Sequence, residues 1–154
     1  MKSMVNKGFT LIELVVVITI LGILAAFAVP KFVALDSTAR TSTIEGLAGS
    51  VKSAAALARS MAMANSTPLG PVNMEGALVT LLNNYPDGSL TGIAAALNAN
   101  ITAGTGDYTF TPGAGAAAAV WTKNGAPIPA TCSVAYTPAV AGFEPTVAIQ
   151  TAGC

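Results

Sequence analysis

The chain has 154 residues, 53% hydrophobic and 9% charged, with seven Lys and Arg balancing seven Asp and Glu. That length holds one domain, and that composition is too apolar for a disordered segment and apolar for a soluble enzyme, so some surface is expected to meet lipid or other protein. With no His and two Cys, the usual zinc sites, Ser-His-Asp triads and Cys-His pairs cannot be assembled, and no window has the clustered Lys/Arg and interleaved aromatics of a phosphate-tracking surface. No catalytic residue, metal ligand or cofactor is therefore expected, and nucleic acid is not an expected partner.

Residues 1–8 carry Lys2 and Lys7 and no acid, a bias that holds this end in the cytoplasm. From Leu14 to Pro30 there is no charge, and Phe9-Thr10-Leu11-Ile12 extends the apolar stretch to roughly the 20 residues that span a bilayer. A membrane helix is predicted. The alternative is an ordinary secretory signal, whose small-x-small cleavage site Ala26-Phe27-Ala28 would imitate. Against it stand the length of the run and Glu13, because an ionisable group near the start of a membrane helix is costly and by default marks function. Gly22 and Pro30 interrupt the run. Proline inside a helix removes a hydrogen bond and clashes with the preceding turn, so a kink or a locally melted stretch is predicted.

Gly8-Phe9-Thr10-Leu11-Ile12-Glu13-Leu14 resembles the processing motif of the type IV pilins and the related pseudopilins. The resemblance implies that residues 1–8 are a leader, that a prepilin peptidase on the cytoplasmic face cuts between Gly8 and Phe9, and that the same enzyme N-methylates Phe9. The apolar helix, residues 9–30, would then survive in the mature protein. It also implies that Glu13 pairs with the terminal amine of an adjacent subunit and gives a filament its register. Glu13 lies one helical turn beyond Phe9 and can face its own first turn or a neighbour's amine, and a buried carboxylate needs a positive partner. The simpler reading is a carboxylate that only complements the helix dipole. In assembled filaments of the family the helix is often extended between a similarly placed glycine and proline, so Gly22 and Pro30 would let the subunit lengthen; an ordinary kink is the alternative.

Residues 31–64 continue as an amphipathic helix, with Ile44, Leu47, Val51, Ala54, Ala55, Ala58 and Met61 at helical spacing. Glu45, Lys52 and Arg59 form a charged stripe away from that face, which reads as solvated surface or as a contact with a neighbour. Asn-Ser-Thr-Pro and Leu-Gly-Pro end the helix near Asn65. From Phe9 to about Met63 it would measure on the order of 80 Å. A small domain can cover only its second half, so the rest must sit in lipid or in a bundle of like helices.

Residues 65–154 change character. Alternation in Tyr108–Thr111, Ala118–Thr122, Cys132–Tyr136 and Thr146–Gln150 predicts strands, Leu90–Leu97 a short helix, and Tyr85-Pro86-Asp87-Gly88 a turn. Trp121 and the tyrosines read as core or surface aromatics. Cys132 and Cys154, in an exported chain, read as one disulfide, two free thiols being the alternative. The closed loop would contribute about 3 kcal/mol. The fold class expected is α+β, a long helix packed against a small antiparallel sheet, which is also the type IV pilin fold.

The resemblance extends to function. It implies a single-pass precursor in the inner membrane with its globular part in the periplasm, then an extracellular pilus. The partners implied are identical subunits, the prepilin peptidase and the inner-membrane pilus assembly machinery, and the disulfide loop would be the exposed, variable surface. The run Ala-Val-Pro-Lys-Phe-Val-Ala-Leu-Asp-Ser, with Thr-Cys-Ser-Val-Ala-Tyr downstream, is similar to the mannose-sensitive haemagglutinin pilins, which serve in attachment and biofilm formation. The rivals are a pseudopilin of a type II secretion system, whose major members usually lack a cysteine pair and end in a calcium site, and a minor pilin that primes assembly or takes up DNA. A membrane-tethered enzyme would need catalytic motifs that the chain does not display.

Overall fold

The computed structural model describes residues 8–66, 70–97 and 106–154, so Lys2 and Lys7 of the expected leader lie outside the described residues. The architecture is α+β. Helix α1 (Leu11–Ala64) is followed by β1 (Val72–Met74), β2 (Ala77–Val79), β3 (Leu81–Leu82), β4 (Tyr85–Pro86), α2 (Ile93–Leu97), β5 (Tyr108–Thr111), β6 (Ala119–Lys123), a 3-10 turn (Pro129–Thr131), β7 (Ser133–Thr137) and β8 (Thr146–Gln150). The chain divides into two compact units, Met1–Ser37 and Thr38–Cys154.

The described part of the first unit is helical from Leu11, and no side chain in it is buried. The helix runs unbroken through Gly22 and Pro30, so the subunit by itself lacks the melted stretch expected between them. Proline costs about 3 kcal/mol in a helix interior by deleting one rung of the ladder; in a 54-residue helix the remaining bonds outweigh it.

In the second unit α1 buries Ile44, Ala48, Val51, Ala55, Ala58 and Ala62. These are spaced alternately four and three apart, one stripe of a 3.6-residue helix. Leu47, Ala54 and Met61, expected on that face, sit half-buried on its shoulder. Four of its six residues are alanine. Against it lies an antiparallel meander in the order β5-β6-β7-β8, with Phe110 opposite Trp121, Trp121 opposite Val134 and Val134 opposite Ile149. Trp121, Val134 and Tyr136 are almost wholly buried in one core with Ile44, Val51, Ile93 and Cys132. The Phe110 and Trp121 rings lie 4.7 Å apart, the tilted spacing that aromatic pairs favour.

A smaller cluster of Ala58, Ala62, Val72, Met74 and Val79 holds two hairpins that the sequence pattern does not anticipate. Their turns are Glu75-Gly76 (φ 49° and 88°) and Asn83-Asn84 (φ 52° and 70°), the positive pair that two-residue hairpins need. Tyr85-Pro86-Asp87-Gly88 is therefore not the turn: Tyr85 and Pro86 form β4 against Leu81 and Leu82, because asparagine tolerates positive φ and proline does not. Asp87 instead accepts hydrogen bonds from the Ser89 amide at 2.9 Å and from Thr80 Oγ1 at 3.0 Å. This Asx-type turn delays the short helix to Ile93 rather than Leu90. The other predicted strands occur within a residue of their expected limits. Cys132 and Cys154 are joined, with their Cα atoms 4.9 Å apart.

Candidate functional site: the processing and assembly segment

Gly8 and Phe9 are exposed, Phe9 by 92%. A Cβ built on Gly8 would meet nothing within 4 Å. They lie ahead of the helix, in the kind of open peptide that proteases accept. Thr10 starts the helix: its carbonyl accepts from the Leu14 amide at 3.4 Å, and its own amide and hydroxyl donate to Glu13 Oε2 at 2.8 and 2.7 Å. Glu13 is the third helical residue and folds back on the residue that caps the helix, which is half of a capping box. The Thr-x-x-Glu spacing is legible in the sequence, and it is the signal that the dipole and neighbour-amine readings of Glu13 leave unused. Among the described residues no basic side chain lies in ion-pair range of Glu13.

Beyond Glu13 the surface is hydrocarbon on every side. The large hydrophobic residues from Leu11 to Val29 are 43–80% exposed, and an 18-residue window of the helix reaches a mean hydropathy of 2.8, long and apolar enough to cross a bilayer. The one hydroxyl inside the run, Thr19, donates back to the carbonyls of Val15 and Val16 at 3.0 and 2.8 Å, so it offers no unpaired donor to lipid.

The second candidate surface is the disulfide loop, 132–154, which contains β7 and β8. Arg40 Nη1 donates to the Cys154 carbonyl at 3.2 Å. Arg59 lies 4.9 Å over the Tyr85 ring, donates to the Tyr85 hydroxyl and forms an ion pair with Glu144 at 3.5 Å. In the expected charged stripe Glu45 and Lys52 are exposed, whereas Arg59 ties the loop to α1. The loop's outer surface shows Val140 and Phe143. Tyr136 donates to the Pro86 carbonyl at 2.7 Å. Burial first, then the Asp87 carboxylate and Tyr85, raise its phenol above the ordinary tyrosine range. Among the described residues no three His, Cys, Asp or Glu gather as metal ligands.

The sequence signature described as the prokaryotic N-terminal methylation motif matches residues 3–29, which include Gly8, Phe9 and Glu13. The chain is 54% identical over 52 residues to the type IV narrow pilus major component PilA5 of Thermus thermophilus, a match covering 34% of this chain and 45% of that one. It is 57% identical over 47 residues to the type IV major fimbrial protein FimA of Dichelobacter nodosus, covering 30% of this chain and 28% of that one. The similarity thus spans less than half the length of these relatives. No solved structure matches the chain. The methylation motif, the similarity to pilus subunits over about a third of the chain and the α+β fold together support a type IV pilin.

Proposed function

We propose that the chain is the structural subunit of a type IV pilus of the mannose-sensitive haemagglutinin kind, polymerising into a surface filament for adhesion and biofilm formation. The observation that carries this is the helix from Leu11 to Val29, apolar all round and headed by one carboxylate, within the segment that bears the methylation motif. Lys2 and Lys7 keep residues 1–8 in the cytoplasm, the prepilin peptidase cuts between Gly8 and Phe9, and Phe9 is N-methylated. The subunit waits in the inner membrane with residues 9–30 in lipid, 31–64 as the amphipathic half of the helix and 65–154 in the periplasm.

Assembly by the inner-membrane machinery exchanges lipid contacts for contacts between helices of identical subunits, an open heterologous arrangement that grows a fibre. Glu13 then meets the terminal amine of a neighbour, which satisfies a charge that hydrocarbon cannot. Gly22 and Pro30 are where the helix would lengthen, since a rung is already missing at Pro30. A pseudopilin or a minor pilin shares the N-terminal half of this scheme. The Cys132–Cys154 loop supports the pilus reading, because it braces an exposed surface that an adhesive filament needs.

The test is intact mass and N-terminal analysis of material sheared from the cell surface. A chain beginning at methylated Phe9, two hydrogens light and abundant in filaments, is the expected result. A processed chain confined to membranes would favour the pseudopilin or minor subunit, and a chain beginning near Val29 would replace the pilin reading with an ordinary signal peptide.

A further inference from the structure

We propose that the outer edge of β8 is a docking site for an extended, acidic segment of a partner protein, which adds a strand to the meander beside the flank of α1. β8 lies at one end of the sheet order β5-β6-β7-β8. One step beyond the Thr122 and Ser133 pair of the β6–β7 register, the Lys123 amide donates to the Cys132 carbonyl at 2.9 Å. Alternation along an antiparallel ladder then gives the backbone groups of Ser133, Ala135 and Thr137 to β8, and those of their partners Gln150, Ala148 and Thr146 to β7. The amides and carbonyls of Val147 and Ile149 therefore face away from the sheet, and no described residue outside it bonds to them. Such a row of open donors and acceptors is a template for another strand, and sheets ordinarily blunt it with charge, proline or a bulge. Thr146-Val147-Ala148-Ile149-Gln150 contains no charge and no proline, and its register against β7 is uninterrupted.

The chemistry of the occupant follows from what stands beside this edge. Val147 shares a groove with Lys52, Ala56 and Arg59 of α1 and with Glu144 and Pro145. Lys52 is exposed, and among the described residues no acid lies in ion-pair range of it. Arg59 shares its charge with Glu144 at 3.5 Å. Two cations against one acid leave the groove positive. The β8 strand of a second copy brings no carboxylate of its own, so pairing edge to edge would leave Lys52 unanswered. A segment that alternates apolar residues with an Asp or Glu answers both features: its main chain completes the open ladder, and its carboxylate meets Lys52 and fixes the register.

The experiment titrates the detergent-solubilised full-length chain into a fluorophore-labelled, end-blocked peptide, Thr-Val-Asp-Val-Thr-Val, and reads anisotropy. The same sequence with every amide N-methylated cannot join a ladder, and it is expected to bind at least about tenfold more weakly. Ile149→Pro deletes an outward amide while leaving the ladder to β7 intact, as proline does on edge strands. It should unfold like the native chain by circular dichroism and bind the peptide about tenfold more weakly. Lys52→Glu should weaken the Asp peptide about fivefold and strengthen its counterpart with Lys in place of Asp. Equal binding of the N-methylated peptide would show apolar adsorption alone and overturn the proposal whether or not Ile149→Pro folds. Native-level binding by a folded Ile149→Pro chain would overturn it equally, as would indifference of both peptides to Lys52→Glu. A chain that ignores the peptide but self-associates, and loses that association on Ile149→Pro, would give the edge to a second copy and overturn the acidic partner.

Discussion

Residues 11–37 and 38–64 belong to the same helix, yet the first stretch buries no side chain and the second buries six. The first is dominated by Val, Ile, Leu and Phe on every side, whereas the second places Ala, Gly and Ser between Ile44 and Ala62. Small residues give a sheet a flat surface to approach, so the second stretch finds its apolar partner within its own chain. Large residues all round leave more hydrocarbon than one small domain can cover, and an exposed apolar surface of that extent marks lipid or protein contact. Helical propensity is satisfied in both. What separates them is where the buried surface comes from, inside the chain or outside it.

The sharpest way to probe that difference is to damage each stretch or its partner alone. Trp121→Ala empties the core over the second stretch and is expected to destabilise it by about 3–5 kcal/mol, read as denaturant unfolding of the detergent-solubilised chain by circular dichroism. Ile18→Lys should leave that unfolding unchanged and penalise membrane insertion by about 2.5–3.5 kcal/mol, seen as precursor shifting from the membrane to the soluble fraction. A shift in unfolding from Ile18→Lys would break the comparison, because it would mean that the first stretch contributes to the folded core.

Smaller effects sharpen it. Cys154→Ala opens the 132–154 loop and should cost about 3 kcal/mol of unfolding while leaving leader removal as it was; equal stability with and without reductant would show that the loop is held by the Arg40 and Arg59 contacts instead. Tyr136→Phe leaves the Pro86 carbonyl without its donor, at about 1–3 kcal/mol. Its pH dependence follows from the raised phenol. Below about pH 10 the phenol is neutral in both folded and unfolded chains and its contribution is intact. Above that the unfolded chain loses the proton first, so stability falls with rising pH until the folded phenol ionises too. The native chain should therefore lose stability more steeply than Tyr136→Phe at alkaline pH, and identical slopes would show that burial does not hold that proton.

Much of this organisation is legible in the residues. The membrane-length run, the helix end near Asn65, the four strands of the meander and the cysteine pair all follow from periodicity, breakers or cysteine count, since each is a local or pairwise signal. The hairpins at 72–79 and 81–86 are harder to read: strands of two or three residues are too short to show alternation, and Asn83-Asn84 competes with the more conspicuous Pro86-Asp87-Gly88 as the turn. The capping box at Thr10 and Glu13 is present in the sequence but overshadowed by the membrane cost of a carboxylate, which draws attention to partners in other chains.

By itself, the sequence marked residues 11–29 as a run of membrane length with large apolar residues on every side, the kind of surface that marks lipid or protein contact, and Glu13 as a carboxylate that calls for donors or a cation there. Only the tertiary structure decided which stripe of α1 lies under the sheet, and that the partly exposed Arg59 reaches Glu144 of the disulfide loop. It also decided that both hydrogen bonds from Thr10 fall on a single carboxylate oxygen of Glu13. Those choices depend on distances between segments remote in sequence or on a single rotamer, and periodicity carries neither.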